Sequence, residues 1–156
     1  MVASGSGTKL EELAHHLFDV VTRFCLLAPR ARRRAGDLKD IEFLTLSLLN
    51  QREPLIVGDI QRQLGVLPAQ MSRIIRALET RERPLISCRI NPQDKRKIDV
   101  VLTPAGRAAF QEHQAARVRA IAGLLDKLGD DDLDDLHRLL GRLLDTLESP
   151  RHVTSG

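Results

Sequence analysis

Two groups of residues have the types and spacing that suit contact with a polyanion. Ala69, Gln70, Ser72, Arg73 and Arg76 fall on one side of an amphipathic stretch that opens at Pro68. Lys95, Arg96 and Lys97 follow Asp94 in an unbroken charged run. In a DNA major groove Arg pairs with guanine and Gln with adenine through two hydrogen bonds. Ser and the remaining cations hold phosphates, which position a protein without specifying sequence. A short basic loop reaches phosphate or a minor groove. The charge balance agrees. Residues 58–110 hold 10 basic and 5 acidic side chains, whereas residues 111–150 hold 5 basic and 9 acidic ones, although the whole chain is only +3. A basic middle of this kind fits a nucleic-acid partner, and it equally fits a solvated positive face.

Other chemistries lack their residues. There is no Gly-x-Ser-x-Gly, no Gly-x-Gly-x-x-Gly and no Gly-x-x-x-x-Gly-Lys-Ser/Thr, so an enzyme is not expected. With no Trp, no Tyr and 4 Phe, a stacking platform for single strands is not expected either. No apolar run approaches the ~20 residues of a membrane span. The Met1–Gly7 segment lacks the charged and apolar parts of a signal peptide. Cys25 and Cys88 are too few for a disulfide framework, so a cytoplasmic protein is expected.

The elements that must position these groups follow from the apolar spacing. Residues 1–7 are expected to be a disordered tail. Thr8 and Glu11 form a capping box, and Leu10, Leu13, Leu17, Val20, Val21 and Phe24 continue at helical spacing until Pro29. Arg30, Arg32, Arg33 and Arg34 form a basic link, which reads most simply as solvated. A second helix spans about Leu38 to Asn50, with Ile41, Leu44, Leu48 and Leu49 inward. Leu55–Val57 is β-prone. Gly58–Leu64 is a short helix closed by Gly65, and Pro68 opens a third helix running to about Arg81. Its inward side is Met71, Ile74, Ile75 and Leu78.

The period then changes to two. Ile86, Cys88 and Ile90, a turn at Asn91–Asp94, and Ile98, Val100 and Leu102 predict a β-hairpin tipped by the Asp94–Lys97 run. Thr103–Pro104 starts a long helix, Gly129 stops it, and Asp130–Asp132 open a last helix. That helix has a face of Leu133, Leu136, Leu140, Leu143, Leu144 and Leu147. The predicted fold is mostly α with a small β-hairpin wing. A winged helix-turn-helix over 38–103 lies between a helix and basic link at 8–37 and helices at 104–150, with a tail at 151–156. The first and last helices carry more apolar surface than one small domain uses. Dimerisation through Leu10, Leu13, Leu17, Leu136, Leu140, Leu143 and Leu147 follows, with two-fold closure.

Several stretches together resemble the MarR family of bacterial transcription regulators. They are Val57-Gly-Asp-Ile-Gln-Arg-Gln-Leu-Gly, Pro68-Ala-Gln-Met-Ser-Arg-Ile-Ile-Arg-Ala-Leu-Glu, Asn91-Pro-Gln-Asp-Lys-Arg and Leu102-Thr-Pro-Ala-Gly-Arg. The resemblance spans about Leu10 to Leu147, and the wing motif is its most specific part. It implies a homodimer on a palindromic double-stranded DNA operator, most simply as a repressor. It also implies a small aromatic or lipophilic effector and no cofactor. Arg96 maps onto the family's minor-groove arginine, and Asp94 onto an aspartate that steadies an arginine of the domain, here Arg73 or Arg76. The chain departs from the pattern at Leu67, where a Ser or Thr cap is usual, at Gln61, where a small Ala is usual, and at Arg83–Pro84, where a Gly is usual. The alternative is a winged-helix protein-interaction or scaffold module with no operator.

Some family members sense peroxide or metals. Cys25 lies in an apolar helical stretch and reads as a buried thiol. Cys88 reads as core. His15, His16 and His113 follow acidic residues, but no His-x-x-x-His pair or Cys cluster sets tetrahedral spacing. They read as surface histidines, and no metal site is expected.

Overall fold

The computed structural model describes residues 4–27 and 37–148. Pro29, the Arg30–Arg34 link, Pro150 and the 151–156 tail lie outside the described residues. The chain divides into two compact units, Met1–Arg117 and Val118–Gly156.

In the first unit, helix α1 spans Ser4–Leu27. It therefore begins one turn before the predicted Thr8 cap and takes in part of the predicted tail. Gly in a helix costs about 1 kcal/mol, but each residue added to a formed helix also gains a hydrogen bond. The apolar residues Leu10, Leu13, Leu17, Phe18, Val20 and Val21 are all exposed.

Helix α2 (Asp40–Gln51) starts where Glu42 reaches back to the Lys39 N–H at 3.2 Å. Its inward face differs from the predicted one. Glu42, Thr45, Leu46 and Leu49 are buried, Leu48 is half-buried, and Leu44 is exposed. Apolar spacing alone missed this because two polar residues find partners inside. The Thr45 hydroxyl donates to the Ile41 carbonyl at 2.8 Å, and Glu42 pairs with Arg81 at 2.6 Å. A buried carboxylate is tolerated only with such a partner.

Strand β1 (Leu55–Ile56) leads into helix α3 (Val57–Leu64), which Gly65 closes at φ 65°. That left-handed geometry suits a residue without a Cβ. Helix α4 (Pro68–Glu79) has Pro in its first turn and Met71, Ile74 and Leu78 buried. Strands β2 (Ile86–Ile90) and β3 (Ile98–Leu102) form the predicted hairpin, paired from Ile86↔Leu102 to Ile90↔Ile98. The sheet has a third member, because β1 pairs antiparallel with β3, giving the order β1-β3-β2. The core gathers around Leu46, Leu49, Ile60, Met71, Leu78, Ile86 and Val100.

Helix α5 (Pro104–Leu125) grows from the base of the hairpin. Thr103 caps it as predicted, accepting the Gly106 N–H at 3.0 Å, and the same hydroxyl donates to the Pro84 carbonyl. Gly106 is needed for packing. A Cβ there would lie 1.9 Å from the Leu85 carbonyl oxygen. With Phe110 also in the core, the first half of α5 belongs to the winged-helix unit. The boundary between the compact units falls between Arg117 and Val118.

In the second unit, the end of α5 is followed by helix α6 (Asp130–Glu148), which opens on Asp130, Asp131 and Asp132. Leu136 is half-buried, while Leu140, Leu143, Leu144 and Leu147 are exposed. Leu125, Leu133, Leu136 and Leu140 line a shallow apolar depression with Asp134 and His137 at its edge. No helix among the described residues is long and apolar enough to cross a membrane.

Candidate nucleic-acid interface

The candidate recognition helix is α4. Its inward residues Met71, Ile74 and Leu78 fix its rotation, so Ala69, Gln70, Ser72, Arg73 and Arg76 all point outward and are exposed. Leu67 occupies the N-cap and provides no side-chain cap, as the sequence implied. The helix is held instead by burial of three side chains and by the αL turn at Gly65 before it. Among the described residues, Arg73 and Arg76 form no ion pair, and neither does Lys95. A cation with no internal partner is available to a phosphate or a base edge without first breaking a bond.

The wing carries the second group. Lys95, Arg96 and Lys97 are exposed at the hairpin tip, with the Arg96 side chain 91% accessible. Here the structure corrects the sequence reading. Asp94 pairs with Arg96, and not with Arg73 or Arg76 of the recognition helix. Its Oδ1 accepts the Arg96 backbone N–H at 3.1 Å and Arg96 Nε at 3.2 Å. The Arg96 backbone N–H holds the Asp94 carboxyl below the usual range, and the Arg96 side chain adds to it. Asp94 is thus an organiser of the tip.

Three residues that support this surface escaped the sequence reading. Asn91 appeared only as a turn signal, yet its side chain makes three hydrogen bonds at the base of the tip. Asp99 alternates with the apolar positions of β3 and yet is 6% exposed, and it accepts from Asn91 at 2.9 Å. Glu53, just past the end of α2, ties β3 to α5. Its carboxylate accepts the Leu102 N–H at 2.8 Å and Arg107 at 2.5 Å. The Leu102 bond is the main reason the Glu53 carboxyl is held below its ordinary value. An Asn followed by Pro-x-Asp could have flagged the first residue. The other two depend on contacts distant in sequence.

The remaining candidates are also placed. Cys25 is exposed and not buried, since α1 leaves its apolar side open. Cys88 is half-buried, and burial, with Glu79 nearby, pushes its thiol up to about 11, which makes it unreactive. His15 and His16 are exposed. His113 is not a surface histidine. It packs on Phe43 at 4.4 Å, and its Nε2 accepts from Arg117 at 3.0 Å. Arg117 also lies over the Phe43 ring and pairs with Asp40 at 2.7 Å. Burial lowers the His113 pKa, Arg117 lowers it further, and Asp40 and Asp37 oppose the shift. Among the described residues no group of three or more His, Cys, Asp or Glu is placed to hold a metal ion.

A helix-turn-helix with a basic hairpin and two outward cation groups defines a winged-helix protein. Residues 38–98, which hold α2, the helix-turn-helix and most of the wing, match the model of the MarR family. Solved structures agree over nearly the whole chain. RV1404 from Mycobacterium tuberculosis is 19% identical, with 97% of this chain and 99% of that chain covered at a TM-score of 0.70. A probable transcriptional regulator from Pseudomonas aeruginosa is 25% identical, with 83% and 95% covered at 0.57. BpsR from Bordetella bronchiseptica, whose DNA binding is regulated by 6-hydroxynicotinic acid, is 21% identical, with 85% and 98% covered at 0.61. At such identities the likeness speaks for a shared fold. A comparison with curated proteins finds no match.

Proposed function

We propose that the chain is a cytoplasmic transcriptional regulator that binds a palindromic duplex operator as a homodimer and represses. The observation that carries this is the outward row Gln70, Ser72, Arg73 and Arg76 on α4, accompanied by the exposed wing cations Lys95, Arg96 and Lys97. Gln70, Arg73 and Arg76 read base edges or hold phosphates, Ser72 holds a phosphate, and Arg96 enters a minor groove. Asp94 serves by steadying Arg96.

The homodimer is supported by exposed apolar residues on α1 (Leu10, Leu13, Leu17) and on α6 (Leu140, Leu143, Leu147), joined in the proposal by half-buried Leu136. Monomeric proteins seldom leave so much apolar surface in water. Two-fold symmetry then sets half-sites about one helical turn apart, ~34–36 Å. A small aromatic or lipophilic effector releases the DNA by favouring a spacing of the recognition helices that misfits the operator. The regulation of BpsR by an aromatic acid supports this part. No cofactor and no catalytic step belong to the proposal.

The test is selection of duplexes from a random pool, followed by titration of the winner at several salt concentrations. The expected result is a palindromic winner whose affinity falls steeply with salt, since each neutralised phosphate releases a counterion. A pool that yields no enriched sequence overturns the proposal.

A further inference from the structure

We infer that Asn91 is a positioning residue for Arg96, acting through Asp94, and thereby sets which grooves the wing reads. The inference rests on the wing's proposed contact with DNA, but its core is a statement about the free protein.

Asn91 directly follows β2 and is half-buried. Its Nδ2 donates to Asp99 Oδ1 on the facing strand at 2.9 Å, and Asp99 is nearly inaccessible. Its Oδ1 accepts the N–H groups of Gln93 at 2.9 Å and Asp94 at 3.0 Å. The Asn91 main chain adds a bond from its N–H to the Lys97 carbonyl. One side chain therefore fixes the tip turn to the opposite strand. The turn presents the Asp94 carboxylate, which takes both the backbone N–H and Nε of Arg96. A connected path runs from buried Asp99 through the Asn91 amide and Asp94 to the guanidinium. The pair engages Nε, which leaves the terminal nitrogens of a 91% accessible side chain open to an outside acceptor.

The consequence is selectivity. A free arginine accepts any phosphate within reach, and binding must freeze its rotamers. An arginine already held at one reach loses less freedom on binding. It also favours the groove that meets it, which in a narrow A-tract minor groove carries an enhanced negative potential. Asp99 serves as the anchor because its burial leaves it little freedom to follow the tip. An Asn91 that only shapes the turn would make the same local bonds but would have no energetic link to Arg96.

The test has two arms. In the free protein, the heteronuclear NOE of Arg96 Nε–H reports its order. It is expected to be high in the unaltered protein and to collapse in Asn91→Ala, while β2 and β3 amide signals stay in place. An equal NOE in both overturns the inference whether or not DNA binds. The second arm uses the pool-selected duplex with A-tract or G·C-rich flanks. Asn91→Ala is expected to lose about tenfold in affinity with A-tract flanks and about twofold or less in the Arg96→Ala background, the signature of coupled residues. Equal losses in both backgrounds overturn the inference. Asn91→Asp sets two carboxylates against each other and should lose affinity. Adding Asp99→Asn restores an amide–carboxylate bond with its direction reversed and should recover most of it. This pair also serves should Asn91→Ala unfold, and failure to recover counts against the path. If the unaltered protein selects no duplex, the DNA reading fails, and the NOE arm still decides the inference.

Discussion

The winged helix and the terminal helices use the same kind of sequence and reach opposite ends. Both are built from amphipathic helices. In the winged helix Leu46, Leu49, Ile60 and Leu78 are fully inaccessible, and polar Glu42 and Asp99 are buried with partners. On α1 and α6, Leu10 and Leu147 remain about 70% exposed. An apolar face shows that a helix needs a partner, and it does not name the partner. The winged helix finds its partner within the chain. The terminal helices leave theirs exposed, and in the proposed dimer a second copy covers it.

The largest effect should come from breaking the second region without touching the first. Leu140→Asp with Leu143→Asp should turn a dimer into a monomer by light scattering and abolish selective DNA binding. The unit carrying α4 and the wing should keep its near-native amide spectrum. A dimer that survives removes α6 from the interface.

A single methyl group then separates the two regions along one helix. Gly106→Ala should destabilise by about 3 kcal/mol in urea unfolding, because its Cβ meets the Leu85 backbone. Gly123→Ala, with nothing within 4 Å in the chain, should stabilise by about 1 kcal/mol through helix propensity. Equal effects would erase the contrast.

Arg81→Met tests the buried pair. It strips the buried Glu42 carboxylate of its guanidinium partner and leaves it the Lys39 N–H, and should cost ~2 kcal/mol, below the value for fully buried pairs because the Arg81 side chain keeps 23% exposure. Restored stability in Glu42→Gln/Arg81→Met would identify the stranded charge as the cause.

The smallest effect is a pH slope. His113 has a lowered pKa in the folded state, so the unfolded chain binds the proton more readily. Stability should fall as pH drops through the ordinary histidine value, and the loss should be complete below the folded value. His113→Gln, which keeps an acceptor for Arg117 but does not titrate, should flatten that part of the curve. An unchanged slope assigns it to other groups.

Much of this was legible because its signals are local. Gly65 and Pro68 mark the turn and the recognition helix, the switch of period at Ile86 marks the wing, and Thr103–Pro104 marks the start of α5. The outward position of Arg73 and Arg76 followed from the apolar side opposite them. The rest depended on partners distant in sequence. Glu42 meets Arg81 39 residues on, Glu53 meets Arg107 54 residues on, and Asp40 meets Arg117 77 residues on. No spacing rule reports such contacts, so Leu44 was wrongly turned inward and the pairing of the β-prone Leu55–Ile56 with β3 stayed unread. Asp94 shows the reverse error, since a distant partner was sought where the residue two positions away suffices.

The central claim is that the winged helix reads a duplex as part of a dimer. Fluorescence anisotropy tests it most directly, with a pool-selected duplex and a composition-matched scrambled control in near-physiological salt. The expected result is selective binding of the selected duplex, two protomers per duplex, and clear weakening by Arg96→Ala at unchanged stability. Equal, weak binding to both duplexes, with Arg96→Ala indistinguishable from the unaltered protein, would contradict it.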